Sequence, residues 1–439
     1  MEHARLLDSI RASQLVRRRG EITHVATHVL RARGPDVALG AMCAIEAAGS
    51  GRRILAEVVA CGAEGTALMP YGETQGISVG AAVHALPAAG EIAVSPAMLG
   101  RVLDAFAAPI DERGPIAAEA FYPLAGQVSN PMRRARVRDR LHTGIQVIDL
   151  MLPIAKGQRV GVFAGSGVGK STMMGMLANR VVADVTVVAL IGERGREVRE
   201  FIEDRLGPEG LARSIVVVAT ADQPAVTRAR AAHTATAIAE YFRDQGKNVL
   251  LMMDSVTRFA MARREIDLAA GQPPTARGYT PSVFSALPAL CERAGPGEGA
   301  GSISAIYTVL VEGDDHQEPI ADTLRATLDG HIWLGRELAQ RGVFPAVDIL
   351  HSVSRLATEI ATDDELAAMT LARQAYAAAS RNRELVELGL YKAGANPLLD
   401  AQIKAHAQLE KSFSQTVHDT RTFEEARTTL GAIVAELES

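Results

Sequence analysis

The feature that most narrows what this chain can fold into is Ala164-Gly165-Ser166-Gly167-Val168-Gly169-Lys170-Ser171. It follows the apolar run Arg159–Phe163 and opens the helix-friendly stretch Ser171–Val182. It departs from the G-x-x-x-x-G-K-[ST] pattern only at its first position, where alanine stands. Glycines at 165, 167 and 169 let successive backbone N–H groups turn inward around a phosphate, and the helix N-terminus behind them adds positive potential. Gly165, Ser166, Gly167, Val168 and Gly169 then form the cradle. Lys170 reaches the β- and γ-phosphates, the Ser171 hydroxyl ligates Mg²⁺, and Thr172 completes the phosphate contacts. The expected cofactors are ATP and Mg²⁺. Such a loop requires a strand–turn–helix context, which a parallel α/β sheet provides.

The surrounding sequence meets that demand. Between about Gly157 and Leu356, β-branched, nearly unbroken apolar runs (Val185–Ile191, Ile215–Ala219, Val249–Met253, Ile303–Val311) alternate with longer helix-friendly segments such as Ala225–Arg243. Unbroken runs suit strands covered on both faces, and the alternation marks a parallel α/β sheet. Two acids stand at strand ends. Asp254 terminates Asn248–Met253 and is expected to join the Mg²⁺ shell. Glu193, in Ile191-Gly192-Glu193-Arg194-Gly195-Arg196-Glu197, closes another strand. Because strand C-termini line one crevice in such a sheet, Lys170, Glu193 and Asp254 can converge on one nucleotide. A carboxylate there can orient and polarise the attacking water, and Glu193 is the candidate. Glu197 and Glu200 recur at helical spacing and read as a solvated face.

The flanks differ in texture. Residues 20–95 show short β-like runs (Glu21–Leu30, Ile54–Val59, Thr66–Met69) broken by glycine turns, the pattern of a small β-barrel. Leu99–Arg140 reads as an irregular linker. After Leu356 the chain is rich in Ala, Leu, Glu, Arg and Gln without strand signals, so residues 357–439 are expected to be helical. Residues 1–19 form an amphipathic, arginine-bearing segment suited to docking a partner or an anionic membrane surface. The ATPase domain between barrel and helices is expected over 96–356.

Composition excludes several classes. With 46 Lys+Arg against 51 Asp+Glu, the net charge of −5 argues against broad nucleic-acid binding, and a 4% aromatic share leaves little for an RNA-stacking platform. Three scattered cysteines without a CxxC pair imply neither a disulfide framework nor a zinc site. The N-terminus lacks a signal-peptide apolar core and no run of about 18 apolar residues occurs, so a cytoplasmic protein is expected.

On these residues a resemblance appears. FAGSGVGKS, IGERGREVREF, LLMMDSVTRFA, GYTPSVFSALPALCERAG, YTVLVEGDD, LDGHI, GVFPAVDI and SVSR, in this order, resemble the type III protein-export ATPases of the bacterial flagellum and the related injectisome. These are similar in turn to the catalytic subunits of the rotary ATP synthase head. The resemblance implies an N-terminal β-barrel, a RecA-like P-loop NTPase domain, a helical C-terminal domain and a homohexameric ring. It implies that Glu193 is the catalytic carboxylate, that Arg194 and Arg258 are active-site arginines, and that Phe344 stacks on adenine where the family usually has Tyr. It makes Arg355 an arginine finger reaching a neighbouring subunit's nucleotide. Implied partners are a regulator, a stalk, export cargo and chaperones, with the ring peripheral at the inner-membrane export gate and no specific nucleic acid. Thr280 and Thr327 depart from the family pattern, where Pro and Ile are usual. Two other readings remain at this point: an ATP synthase head subunit, and a ring-shaped RNA translocase. Against the latter, Gly20–Ser95 contains a single aromatic residue, Tyr71. The segment Asn382–Ala395 inclines the reading toward the flagellar branch.

Overall fold

The computed structural model describes residues 18–47, 51–86, 90–126, 130–419 and 421–438. The amphipathic segment expected over 1–19 lies outside them except for its last two residues, of which Arg19 opens the first strand. Among the described residues, β1 (Arg19–Val25), β2 (Leu30–Arg33), β3 (Met42–Glu46), β4 (Arg53–Gly62), β5 (Gly65–Pro70) and β6 (Ala82–Ala85) close into a barrel in the order β1-β2-β5-β4-β3-β6. Alternation along the strands explains the closure. Ile54, Ala56 and Val58 of β4 point inward against Ile22, Leu30, Ile45, Leu68 and Val83. The expected strand over Glu21–Leu30 is instead a hairpin: Ala26 and Val29 close its turn, and β1 pairs antiparallel with β2. A barrel of short strands needs that reversal.

The barrel ends at β6. The next strand, β7 (Glu91–Val94), pairs outside it with β9 (Ala120–Pro123). The stretch expected as an irregular linker thus carries secondary structure of its own. Between β7 and β9, β8 (Val102–Leu103) joins the edge of the central sheet, parallel to Ser214–Ala219. A nearly buried ion pair secures it, with Arg101 Nη2 2.7 Å from Asp111 Oδ1 and donating also to the Gly114 carbonyl. Hydrogen bonds from Arg101 and from backbone amides hold the Asp111 carboxyl well below the usual carboxylate range.

The central sheet adds β10 (Arg159–Ala164), β11 (Val185–Ile191), β12 (Ser214–Ala219), β13 (Asn248–Asp254), β14 (Ser302–Leu310), β15 (Gly330–Leu334) and β16 (Val347–Ser354). Their order across the sheet is β16-β15-β10-β14-β13-β11-β12-β8, all neighbours parallel except the β15–β16 pair. Helices cover both faces. Met173, Met174 and Leu177 of α1 (Lys170–Arg180) enter one core; α2 (Ala225–Asp244) and α3 (Val256–Ala269) fill the other with Ala231, Ala235, Ile238 and Phe259. This double burial is why the strands read as continuous apolar runs.

The described residues after Leu356 fold into helices joined by short connections, as their composition implies. Thr362 and Glu365 make a capping box at the start of α4 (Asp363–Glu387), and Asn396 caps α5 (Pro397–Phe413). With α6 (Phe423–Glu438) they place Ala375, Leu409, Leu430 and Ile433 against Ile148 and Met151 of the nucleotide domain. Among the described residues no helix is long and apolar enough to cross a membrane.

Candidate active site

Parallel order brings the C-terminal ends of β10, β14, β13 and β11 to one sheet edge, and the motif residues gather there. Val162 and Phe163 are fully buried, fixing β10 as a rigid base for the loop. Gly167 and Gly169 adopt φ of +79° and +94°, a left-handed geometry that favours glycine. Gly169 stands just before Lys170, the first residue of α1. Val168 is buried and anchors the loop, while Ser166 and Ser171 are exposed and Thr172 is half-buried.

Lys170, Glu193 and Asp254 converge. Lys170 Nζ donates to Asp254 Oδ1 and lies 3.6 Å from Glu193 Oε1. Asp254 Oδ1 also accepts a hydrogen bond from the Thr308 hydroxyl at 2.7 Å, so a neighbouring strand orients the carboxylate. Its Oδ2 takes no hydrogen bond from the described residues. Burial pushes the Glu193 carboxyl up to about 7; the Lys170 ammonium opposes this, and the negative charges of Asp254 and Glu197 reinforce it. Burial outweighs the cation here because the nearer, better-aligned partner of Lys170 is Asp254.

A cavity of about 250 Å³ opens beside these groups, lined by Ser171, Glu193, Arg196, Glu197 and Asp254 among others. Glu197 and Glu200, expected on a solvated face, belong to its wall. Helical spacing alone could not reveal that the helix starts at the crevice mouth. A cleft of about 790 Å³ between the β7–β9 pair and the end of α2 is larger but contains none of the motif residues.

The remaining expected residues divide. Phe344 is 42% exposed, and its ring lies 3.4 Å from where a Cβ on Gly169 would stand, so a free aromatic face adjoins the loop. Gln415 of the helical domain donates to the Phe344 carbonyl at 2.8 Å. The Arg258 stem rests on Gly192 so closely that a Cβ there would come within 2.9 Å, and its Nε is buried without a partner among the described residues. Arg258 is therefore beside the Glu193 turn without bonding the trio. Arg194 is not brought in: its side chain is 82% exposed and pairs with Glu197 at 3.4 Å. Arg355 is exposed and donates from Nη2 to the Arg325 carbonyl at 2.7 Å, away from Lys170.

Sequence reasoning passed over three groups that touch this site. Thr308 orients Asp254, and Asp314 and Arg336 meet on the loop itself. The signal for Asp314 was present, since it closely follows a buried strand just as Glu193 does.

A phosphate loop on a parallel sheet, set between a β-barrel and a helical domain, defines a P-loop nucleotide-binding protein of rotary-ATPase architecture. Comparison with known proteins carries this further. Residues 22–86 and 144–354 match the β-barrel and nucleotide-binding domains of the ATP synthase alpha/beta family, and residues 361–432 match the T3SS EscN ATPase C-terminal domain. The chain is 48% identical over 441 residues to the flagellum-specific ATP synthase of Bacillus subtilis, covering 100% of both chains. It is 45% identical to the type 3 secretion system ATPase of Xanthomonas euvesicatoria, covering 93% of this chain and 92% of that one. The assembled ATPase EscN of the enteropathogenic E. coli type III secretion system superposes with a TM-score of 0.90 at 41% identity, over 94% of this chain and 100% of that one. A second EscN structure, in complex with its central stalk EscO, gives 0.86 at 40% identity over the same shares. The chain belongs to the family of flagellum-specific ATP synthases and type 3 secretion system ATPases. It is a nucleotide-binding ATPase of type III protein export.

Proposed function

We propose that this chain hydrolyses Mg²⁺-ATP as a homohexameric ring that energises export through a flagellar type III apparatus. The observation that carries the chemistry is the convergence of Lys170, Glu193 and Asp254 beside the phosphate loop. The ring and a stalk partner are carried over from EscN, described as assembled and in complex with its stalk. The flagellar branch is favoured by the full-length likeness to the Bacillus subtilis protein and by Asn382–Ala395. A regulator, cargo with chaperones, and an anionic membrane surface met by residues 1–19 complete the proposed setting at the inner-membrane export gate.

The loop amides and Lys170 hold the β- and γ-phosphates, and Phe344 supplies a face for adenine. The donors suit Mg²⁺: Ser171 offers a hydroxyl and Asp254 a free oxygen, and this ion takes one or two such groups while phosphates and waters fill its remaining positions. When bound, it would neutralise the negative charge that the phosphates carry and develop during transfer. Glu193 accepts a hydrogen bond from the attacking water and draws off its proton as the γ-phosphoryl departs. Arg258 stiffens the turn that carries Glu193.

Glu193→Gln separates binding from chemistry. The amide keeps the shape but cannot take the proton, so the variant should bind Mg²⁺-ATP with little change and hydrolyse it at least about 10²-fold more slowly. Loss of binding together with turnover would make Glu193 a structural residue and overturn its assignment.

The raised Glu193 value has a signed consequence. The residue must be ionised to act as a base, and in the free protein burial favours its protonated form up to about pH 7. The kcat/KM for ATP should therefore fall as pH drops through about 7 and level off above it. A profile flat from pH 5.5 to 8 would contradict this.

A further inference from the structure

Two side chains left out of the nucleotide mechanism meet on the outer surface of the phosphate loop. Leu310 of β14 and Leu334 of β15 are both in register with Ala164, on the two strands flanking β10. The chain leaving each strand therefore emerges beside the loop, one from either side. Asp314 comes from the first and Arg336 from the second. They pair across the loop, with Arg336 Nε 2.7 Å from Asp314 Oδ2 and Nη2 3.4 Å from Oδ1. The third guanidinium nitrogen, Nη1, donates to the Ser166 carbonyl at 3.1 Å. At Gly165 a Cβ would overlap Asp314 Oδ1 and lie 2.6 Å from Arg336 Nη2, so the pair rests directly on the loop backbone.

Peptide planarity gives this contact a consequence. In a trans peptide, the Ser166 carbonyl and the Gly167 N–H point in opposite directions. A donor that fixes the carbonyl outward fixes that N–H toward the phosphate side. Gly167 has φ of +79° and no side chain, and Ser166 is exposed, so neither residue of this peptide packs to hold its plane, and the buried anchor of the loop, Val168, comes only after it. We infer that Arg336, braced by Asp314, is a positioning residue for ATP hydrolysis that locks the Ser166–Gly167 peptide with its N–H presented to the nucleotide phosphates. Guanidinium suits the task because its planar fork spends two nitrogens on the carboxylate and keeps a third for the carbonyl. The inference rests on the phosphate-loop reading of residues 164–171.

The test compares ligands that do and do not carry phosphates, in the full-length protein under assembling conditions. Arg336→Ala should raise the KM for ATP about tenfold, the scale of one charge-assisted hydrogen bond, and weaken ADP in parallel. The kcat at saturating ATP should stay within about threefold, because filled phosphates reorder the loop. The inhibition constant of adenosine, which lacks phosphates, should not move. Arg336→Lys keeps a point donor and should restore part of the KM, whereas Asp314→Asn should reproduce part of the defect. An unchanged KM in Arg336→Ala, or equal weakening of ATP and adenosine, would overturn the inference. Should Arg336→Ala fail to fold, Arg336→Lys and Asp314→Asn decide, and wild-type KM in both overturns it. Lys170→Ala, measured alongside, separates the two levels. An active Lys170→Ala removes the phosphate-loop reading itself, while an inactive one beside a normal Arg336→Ala removes the clamp alone.

Discussion

Replacing Lys170 by alanine should reduce ATP hydrolysis to background, at least about 10³-fold below wild type, for two reasons that compound. The ammonium is the only side-chain cation within the loop itself, so its loss leaves the loop only its backbone dipoles to hold the phosphates. It is also the cation shared by two poorly exposed carboxylates, with side-chain exposures of 17% for Glu193 and 7% for Asp254. Burial and the Asp254 charge already push Glu193 upward, and Lys170 is the leading opposing influence. Without it Glu193 takes up a proton more readily and cannot draw one from water. Raising the pH should restore the ionised carboxylate but not the phosphate contact, so activity should stay near background even in alkaline buffer. Phosphate release and equilibrium nucleotide binding measure the two losses separately. Near-normal turnover would mean that the loop does not bind phosphate.

The three-part architecture was legible because each part has its own period. Glycine-punctuated β runs marked the barrel, unbroken β-branched runs marked a doubly covered sheet, and alanine- and leucine-rich stretches marked the helices. Residues 99–140 defeated that logic. Their strands, Val102–Leu103 and Ala120–Pro123, are too short to show a period and are set by tertiary pairing with Ser214–Ala219 and Glu91–Val94. Within the site, Lys170, Glu193 and Asp254 were readable because a parallel sheet sends every strand end to one edge. Asp314 stood close behind a buried strand, but its pairing with Arg336 across the loop was not readable, since seeing it requires the spatial order β15-β10-β14, which the chain order hides. Arg194 shows the converse: its neighbour in sequence reaches the crevice, but its own side chain turns to solvent. Thr280, a departure from the family pattern, is fully buried and donates to Asp267 at 2.8 Å just ahead of the helix Pro281–Cys291. The hydroxyl holds a turn that proline would otherwise stiffen.

Arg355 offers a prediction that depends on the ring. Strand β16 runs antiparallel to β15, with Ser354 opposite Gly330 and Val347 opposite Leu334. Leu334 is in register with Ala164 at the base of the phosphate loop, whereas Gly330 pairs with Val160, near the start of β10. Arg355 therefore leaves the sheet at the edge opposite its own phosphate loop, about 13 Å away along the strand direction at about 3.3 Å per residue. The residue is exposed, its guanidinium is held among the described residues only by the Arg325 carbonyl, and its backbone N–H is tied to the Asp329 carbonyl. It cannot serve its own phosphates from there, so the proposed finger role requires the phosphates of a neighbouring subunit. Arg355→Ala should bind ATP normally, since Lys170, Ser171 and Asp254 remain, and should lose about 10³-fold or more in turnover if it stabilises charge on the departing γ-phosphoryl. Wild-type activity per chain should rise with protein concentration as rings assemble. Mixing Arg355→Ala chains with Glu193→Gln chains, each nearly inactive alone, should restore partial activity at interfaces where an intact Glu193 faces an intact neighbouring Arg355. If wild-type activity is independent of concentration and Arg355→Ala is fully active, the finger does not act between subunits. If mixing restores nothing while Arg355→Ala alone is inactive, either the arginine acts within its own subunit or the sites fire only in concert. A few Arg355→Ala chains added to wild-type rings separate these, since a loss proportional to the fraction added marks the first and overturns the finger between subunits, whereas a much steeper loss marks the second.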